Sequence, residues 1–296
     1  MRGPYVANLL LLHVIVLVWG LTGILGNEIS LTAVPLVWWR VVIAVLTIAL
    51  IVIVRRVTVA ASFLDLMRFA AVGLLTAAHW VFFFAAIKYS KISVALVVLS
   101  TSAFFVSILG PLVRRERIQW YEMGLGLVVI AGLALIFNFE SQYVLGIILA
   151  LVAAFLASLF STLNSRLVIR HEPTQIAFWE MFFAALGLSV FMLVNGEWRV
   201  VAHGLSTNDF LMLLVLGILC TGVAFIVSIR VMRVLSPFTC ALAINLEPVY
   251  TILIALWMYG ESEYMSGPFY AGAGVILSTL FIDAAMKQRV ARKASA

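Results

Sequence analysis

Two stretches of sequence decide the fold: KYSKISVALVVLSTSAFFVSILGPLVRRE, residues 88–116, and MRVLSPFTCALAINLEPVYTILIALWMYGE, residues 232–261. Set 145 residues apart, they lay Glu116 over Glu261, Ala103 over Pro248, and Ser100-Thr101-Ser102 over Asn245-Leu246-Glu247. Each holds one apolar run of the length, about 20 residues, that an α-helix needs to cross the hydrocarbon core of a bilayer. The segment following each one repeats too after a one-residue slip, with Gly126 over Gly272. Upstream, setting Trp39 over Trp179 brings Arg40 over Glu180.

Runs of the same kind fill the rest of the chain. The spans read as 8–26, 33–54, 69–87, 92–113, 120–138, 143–164, 174–195, 209–232, 236–259 and 266–285. Of 296 residues, 65% are hydrophobic and 11% charged, against about 25% charged in a soluble domain, which excludes a water-soluble globule. No connection is long enough for a separate soluble domain. The net charge of +6 does not mark a nucleic-acid binder, because Lys and Arg sit at span ends and not on one surface. Cys220 and Cys240 both fall inside spans and read as packing residues, giving neither a disulfide framework nor a CxxC metal site. The first run begins near Asn8 and is followed by Trp19-Gly20, so it is expected to be a retained helix and not a removed signal peptide.

Ten spans in two similar sets give five per half, 1–140 and 141–296. An odd number means that the second half enters the bilayer from the opposite side, which is an inverted-topology repeat. With the N-terminus inside, 15 Lys and Arg fall in inner segments and 3 in outer ones (Lys88, Lys91, Arg199), with Arg40 within a span to complete the 19. Cytoplasmic connections carry such an excess, so both termini are expected on the cytoplasmic side. Two bundles related in this way can exchange inward-open and outward-open shapes around a site near the midplane.

The helix pair running from Ala86-Ile87-Lys88-Tyr89 to Glu116, its partner from Glu247-Pro248-Val249-Tyr250 to Gly260-Glu261, and Arg40 in the second span resemble the drug/metabolite transporter superfamily, in particular its ten-helix EamA-type carriers. The resemblance covers nearly the whole chain. It implies an all-α carrier of the bacterial inner membrane that needs no cofactor and exports a small metabolite. It leaves the substrate open among amino acids, nucleotide sugars, organic phosphates, purines and toxic compounds. Two departures stand out: Ala103 where the pattern usually has proline, and Arg115-Glu116 where it has Gly-Glu. The first half is therefore expected to bend less at this point than the second.

Glu247 is the first candidate for the site, since a carboxylate near mid-bilayer costs at least a few kcal/mol unless it faces a wet cavity or is protonated part of the time. Pro248 follows it at once and frees backbone carbonyls one turn earlier, so the competing reading is a structural carboxylate beside a proline kink. Asn245 and Tyr250 stand nearby, and Ser100 and Ser102 are their counterparts in the first half, with helix packing as the alternative for the two serines. Arg40 and Glu180 could form a gating pair, or Arg40 could snorkel to an interface. His13 and His79 could take part in proton coupling or be ordinary packing residues. Lys88 could attract an anion or be a plain interfacial lysine. Trp19 and Trp80 read as cavity walls beside His79, whereas Trp38 and Trp39 read as interface anchors. Gly146, Ala150, Ala154 and Ser158, with Ala153, Ala157 and Ser161 beside them, should place the sixth span centrally. Gly274 and Ser278 give the last span a shorter small face, for peripheral packing or for a second copy in a homodimer.

No HExxH, P-loop or GxSxG occurs, so neither catalytic nor metal-binding residues are assigned and an enzyme has no positive support. A channel and a receptor or sensor remain rivals to a carrier. With no ATP-binding motif, a carrier would draw on a gradient. A proton is the favoured coupling ion, with Glu247 its acceptor and an amino acid or similar amphipathic compound the substrate.

Overall fold

The computed structural model describes residues 2–117, 119–139, 141–199 and 204–293. They form ten helical rods: α1 (Arg2–Glu28), α2 (Ala33–Arg55), α3 (Phe63–Tyr89), α4 (Ile92–Arg114), α5 (Trp120–Phe139), α6 (Val144–Leu167), α7 (Pro173–Asn195), α8 (Thr207–Val231), α9 (Pro237–Tyr259) and α10 (Gly267–Lys293). Among the described residues eight of these are apolar and long enough to cross a membrane, and α5 adds a shorter apolar stretch, Trp120–Leu135. Among the described residues the fold is the all-helical one, in ten rods, that the sequence predicts.

Local chemistry sets where the rods start and stop. Ser62, Glu172, Ser206 and Ser236 each accept hydrogen bonds from backbone N–H groups in the first turn of α3, α7, α8 and α9, supplying partners that a helix start lacks. Arg56 and Arg115 end α2 and α4 with φ of 53° and 57°, and Gly196 ends α7 with φ of 71°. Large apolar side chains such as Val54, 72% exposed, and Trp257, 85% exposed, point away from the bundle, as lipid-facing residues must.

The repeat is visible in the breaks of α4 and α9. α4 consists of Ile92–Leu99 and Ser102–Arg114, and α9 of Pro237–Ile244 and Glu247–Tyr259. The pieces are 8 and 13 residues long in both, so every boundary repeats at the shift of 145 found in the sequence. The first half, expected to bend less, has its helix interrupted at the same place and for the same length as the second. The cause is not proline. Thr101 Oγ1 donates to Val98 O at 2.8 Å and Ser100 Oγ to Leu96 O at 3.3 Å, and such side-chain bonds to nearby carbonyls compete with the helical ladder.

Small residues bring α6 close to α3 and α4. Gly146, Ala150, Ala154 and Ser158 are all buried, a Cβ on Gly146 would run into Ser90, and Ser158 Oγ lies 2.9 Å from Ser102 O in the break of α4. α5 and α10 pack together through Gly132, which meets Gly272 and Ile276, and α5 also packs against α4, where Gly126 meets Phe104. Among the described residues nothing lies within 4 Å of a Cβ built on Gly274. α8 is π-helical from Val215 to Val223, a rare form that occurs frequently at functional sites.

Candidate functional site

A cavity of about 100 Å³ lies at the centre, lined from α1 by Trp19 and Thr22, from α2 by Arg40, from α3 by His79, Trp80 and Phe83, and from α4 by Leu99, Ser102 and Val106. α6 contributes Ala157, Ser158, Phe160 and Ser161; α8 contributes Phe225, Ser228 and Met232; α9 contributes Ala241, Ile244 and Glu247. Both halves thus supply walls.

Arg40 is the most constrained group in it, only 1% exposed. Its guanidinium carbon sits 4.2 Å from the centre of the Trp80 ring, a cation–π contact that strengthens when desolvated. Nε donates to Thr221 Oγ1, and that hydroxyl donates to Leu216 O at 2.7 Å inside the π-helical stretch. Among the described residues Nη1 has no hydrogen-bond partner. Neither sequence expectation for Arg40 describes this: it does not snorkel, and it does not pair with Glu180. The Glu180 carboxylate accepts from Asn164 Nδ2 at 3.1 Å and is fully buried away from the cavity. The weaker repeat alignment places the two at matching depth but on faces that meet different neighbours.

Glu247 opens the second piece of α9, beside Pro248 at its N-terminus. It is 6% exposed and lines the cavity, and among the described residues its carboxylate makes neither a hydrogen bond nor an ion pair. Arg40 and Glu247, of opposite charge, therefore share one small space while each keeps unused hydrogen-bonding capacity. His79 Nδ1 lies 2.8 Å from Ala153 O; a carbonyl only accepts, so Nδ1 carries the proton and Nε2 is left for the cavity. Trp19 Nε1 donates to Cys220 O at 2.9 Å, fixing the indole as a wall.

Of the residues singled out in the sequence, the structure brings together Trp19, Arg40, His79, Trp80, Ser102 and Glu247. It leaves out four. Ser100 and Asn245 border a separate hollow of about 10 Å³ beside Glu247, where neither polar atom of the Asn245 side chain has a partner among the described residues. Tyr250 packs against the cluster that Leu12 and Val16 of α1 form with Val231, Leu235, Cys240 and Ala243, and Glu180 is as described. His13 Nδ1 bonds Leu9 O in its own helix, and Lys88 Nζ donates to Asn27 O and Ile29 O at 3.1 and 2.7 Å, which caps the end of α1. Sequence reasoning missed Thr22, Phe160, Phe225 and Ser228, which carry no signal in an apolar helix beyond being aromatic or small. It also missed Thr221, whose orientation depends on the π-helical turn.

The two ends of the cavity are closed differently. At the end bearing Glu28, Tyr89 and Tyr259, polar contacts join the halves: Ser30 N and Oγ donate to the Asp209 carboxylate at 2.9 and 2.6 Å, Tyr259 OH to Glu28 Oε1 at 2.7 Å, and Lys91 Nζ to Tyr264 O at 3.1 Å. At the opposite, arginine-bearing end the plug is apolar, made of Ala103 and Val106 from α4 with Phe238, Ala241 and Leu242 from α9. Beyond it a hollow of about 90 Å³, lined by Val106, Phe238 and Arg114 among others, leads to the surface.

A ten-helix membrane protein made of a twofold repeat around a small charged cavity is the architecture of a carrier. The sequence profile of the EamA-like transporter family matches residues 7–138 and again 144–282, and the chain belongs to that family, within the drug/metabolite transporter superfamily. A protein of Clostridium kluyveri described as an uncharacterized transporter is 26% identical over 185 residues, 60% of this chain and 59% of that one. Another from Archaeoglobus fulgidus, described likewise, is 26% identical over 208 residues, 68% and 71% of the two chains. The chain thus aligns with less than two thirds of the first relative's length. A solved crystal structure superposes with a TM-score of 0.69 at 16% identity, over 96% of this chain and 99% of that one, which supports the fold.

Proposed function

We propose that the protein is an alternating-access secondary carrier that exports a small zwitterionic metabolite, an amino acid or a compound of like chemistry, across the bacterial inner membrane. The observation that carries this is that Arg40 and Glu247, of opposite charge, line one cavity, with Arg40 Nη1 left without a hydrogen-bond partner among the described residues. A free guanidinium edge suits a substrate carboxylate, with which it can form paired hydrogen bonds, and a carboxylate facing it suits a substrate ammonium. Trp19, Trp80 and Phe225 supply apolar walls for a side chain. The volume, below the roughly 300–1,000 Å³ of a drug-sized pocket, fits a small solute held in a contracted state.

The units 1–140 and 141–296 are the bodies that rock. Polar ties hold one end and an apolar plug the other, so opening alternates between them. We place the arginine-bearing end in the cytoplasm, with both termini there, on the charge count. Glu247 is the residue we assign to proton coupling, since a carboxylate that binds either substrate ammonium or proton exchanges one for the other.

The test is uptake and counterflow of radiolabelled amino acids in proteoliposomes, with nucleotides and sugar phosphates as competitors. A carrier shows saturable exchange that excess unlabelled substrate on the far side accelerates, and Glu247→Gln abolishes the response to an imposed pH gradient. Flux that never saturates and shows no counterflow would mean a channel. Full pH-driven transport by Glu247→Gln would remove Glu247 from the mechanism.

A further inference from the structure

Apart from the central cavity, a second and larger cleft of about 410 Å³ opens at the arginine-bearing end between α3 and α6. Its rim carries Arg68, Arg166, Arg170 and His171, and its wall includes Ala71 and Leu163. Positive charge prevails there. Asp65 is the acidic group that meets this rim, 2.8 Å from Arg68 Nη1 and 3.4 Å from His171 Nε2. Glu172 is turned to the backbone N–H groups of Thr174 and Gln175. Arg166 Nη1 donates to Val113 O at 2.7 Å, Arg233 donates to Val168 O and His171 O just behind, and Arg170 makes no contact of this kind among the described residues. Three guanidinium groups thus converge on a hollow with one carboxylate among them.

We propose that this cleft binds an anionic phospholipid, its headgroup phosphate held by Arg68 and Arg170 and an acyl chain lying along the wall between α3 and α6. The charge complementarity is of the kind by which basic pockets between transmembrane helices recognise anionic headgroups. The apolar wall selects a lipid over a soluble anion. It runs into a face of α3 whose Phe63, Leu64 and Met67 are 79%, 58% and 55% exposed, while Ile169 at the rim is 73% exposed. Because α3 lies in the first half and α6 in the second, a bound headgroup joins the two bodies. This rests on the placement of the arginine-bearing end at the cytoplasmic leaflet, and not on the identity of the transported solute.

The experiment is native mass spectrometry and thermal unfolding of the purified full chain in detergent, titrated with phosphatidylglycerol, phosphatidylcholine or inorganic phosphate. One phosphatidylglycerol is expected to bind and raise the unfolding temperature, while phosphatidylcholine and inorganic phosphate do not. A cation near an anionic surface is worth about fivefold in affinity, so Arg68→Gln with Arg170→Gln weakens the lipid by about 25-fold. Arg170→Gln alone, which breaks no described contact, weakens it by about fivefold with the unliganded fold intact. Arg55→Gln with Arg56→Gln removes the same charge outside the cleft and leaves binding unchanged. Equal weakening in that control pair would reduce the effect to diffuse surface charge and overturn the proposal. Equal protection by inorganic phosphate would overturn it in favour of a soluble anion.

Discussion

Arg115 and Gly260 occupy the same position of the repeat and both have positive φ, 57° and 55°. The sequence marks this position as a departure from the family pattern, arginine in place of glycine, and the structure shows what the departure costs: an L-residue held in the left-handed region. Arg115→Gly is expected to stabilise the fold by about 1 kcal/mol. Gly260→Ala should cost about 1–3 kcal/mol, because ψ of −130° at that residue lies outside the left-handed well that other residues can use. Denaturation in detergent, compared with wild type, reads both. At the site, Arg40 is held by its cation–π contact with Trp80 and by the Nε bond to Thr221, and an ammonium, a point charge without the planar fork, does not keep both while still offering a paired donor edge. Arg40→Lys should therefore keep the fold and weaken substrate binding by about tenfold or more, the worth of a hydrogen bond to a charged group. Unchanged affinity by calorimetry would take Arg40 out of the substrate contacts. Sequence alone marks Arg40, Glu247 and His79 because charge and imidazole are conspicuous in apolar helices. It does not say which of them meet, since that depends on the rotation of each helix about its axis, and so Glu180 is paired with Arg40 on paper and with Asn164 in space.

At the scale of the elements, the breaks in α4 and α9 have one geometry and two chemistries. Pro248 stands in the first turn of its helix piece, where a missing N–H costs little. Ala103 stands at the corresponding place in α4, and its N–H makes only a long bond of 3.4 Å to Ser100 O. Ala103→Pro is accordingly expected to change stability by less than about 1 kcal/mol, whereas Val106→Pro, one turn further into the piece, should cost about 3 kcal/mol or more. Thermal unfolding separates the two outcomes, and comparable damage from both would mean that the break in α4 is not a preformed helix start. The lengths of these elements were legible from apolar runs and from the 145-residue shift, both of which survive any reasonable choice of span boundary. The break itself was legible only in the second half, where proline announces it. In the first half, Ser100 and Thr101 produce it through side-chain bonds that a hydroxyl makes in one rotamer and not in another, so the residue names do not disclose it.

For the molecule as a whole, the two closures differ in kind, and that sets how each state can be biased. At the polar end, the Asp209 carboxylate takes hydrogen bonds from Ser30 N and Oγ as well as from Ser206 Oγ, and it joins α8 of the second half to the α1–α2 turn of the first. Hydrogen bonds to a charged group are worth about 1.5–3 kcal/mol each. Asp209→Asn keeps the shape but loses the charge, so it should weaken this closure by about 1–2 kcal/mol and raise the share of molecules open at that end by about tenfold. Loss of the apolar plug acts in the opposite sense: Phe238→Ala opens the arginine-bearing end, because Phe238 stands between the central cavity and the outer hollow. The measurement uses a cysteine in place of Thr22, which lines the cavity near the polar end, in a chain whose Cys220 and Cys240 are replaced by alanine. An impermeant thiol reagent applied from the side of the polar end should label this cysteine faster in the Asp209→Asn background and more slowly in the Phe238→Ala background. The two substitutions lie at opposite ends and touch no common residue, so if the halves rock as rigid bodies about the central cavity, their effects on labelling should cancel when combined. Independent, additive opening at both ends would instead describe a pore.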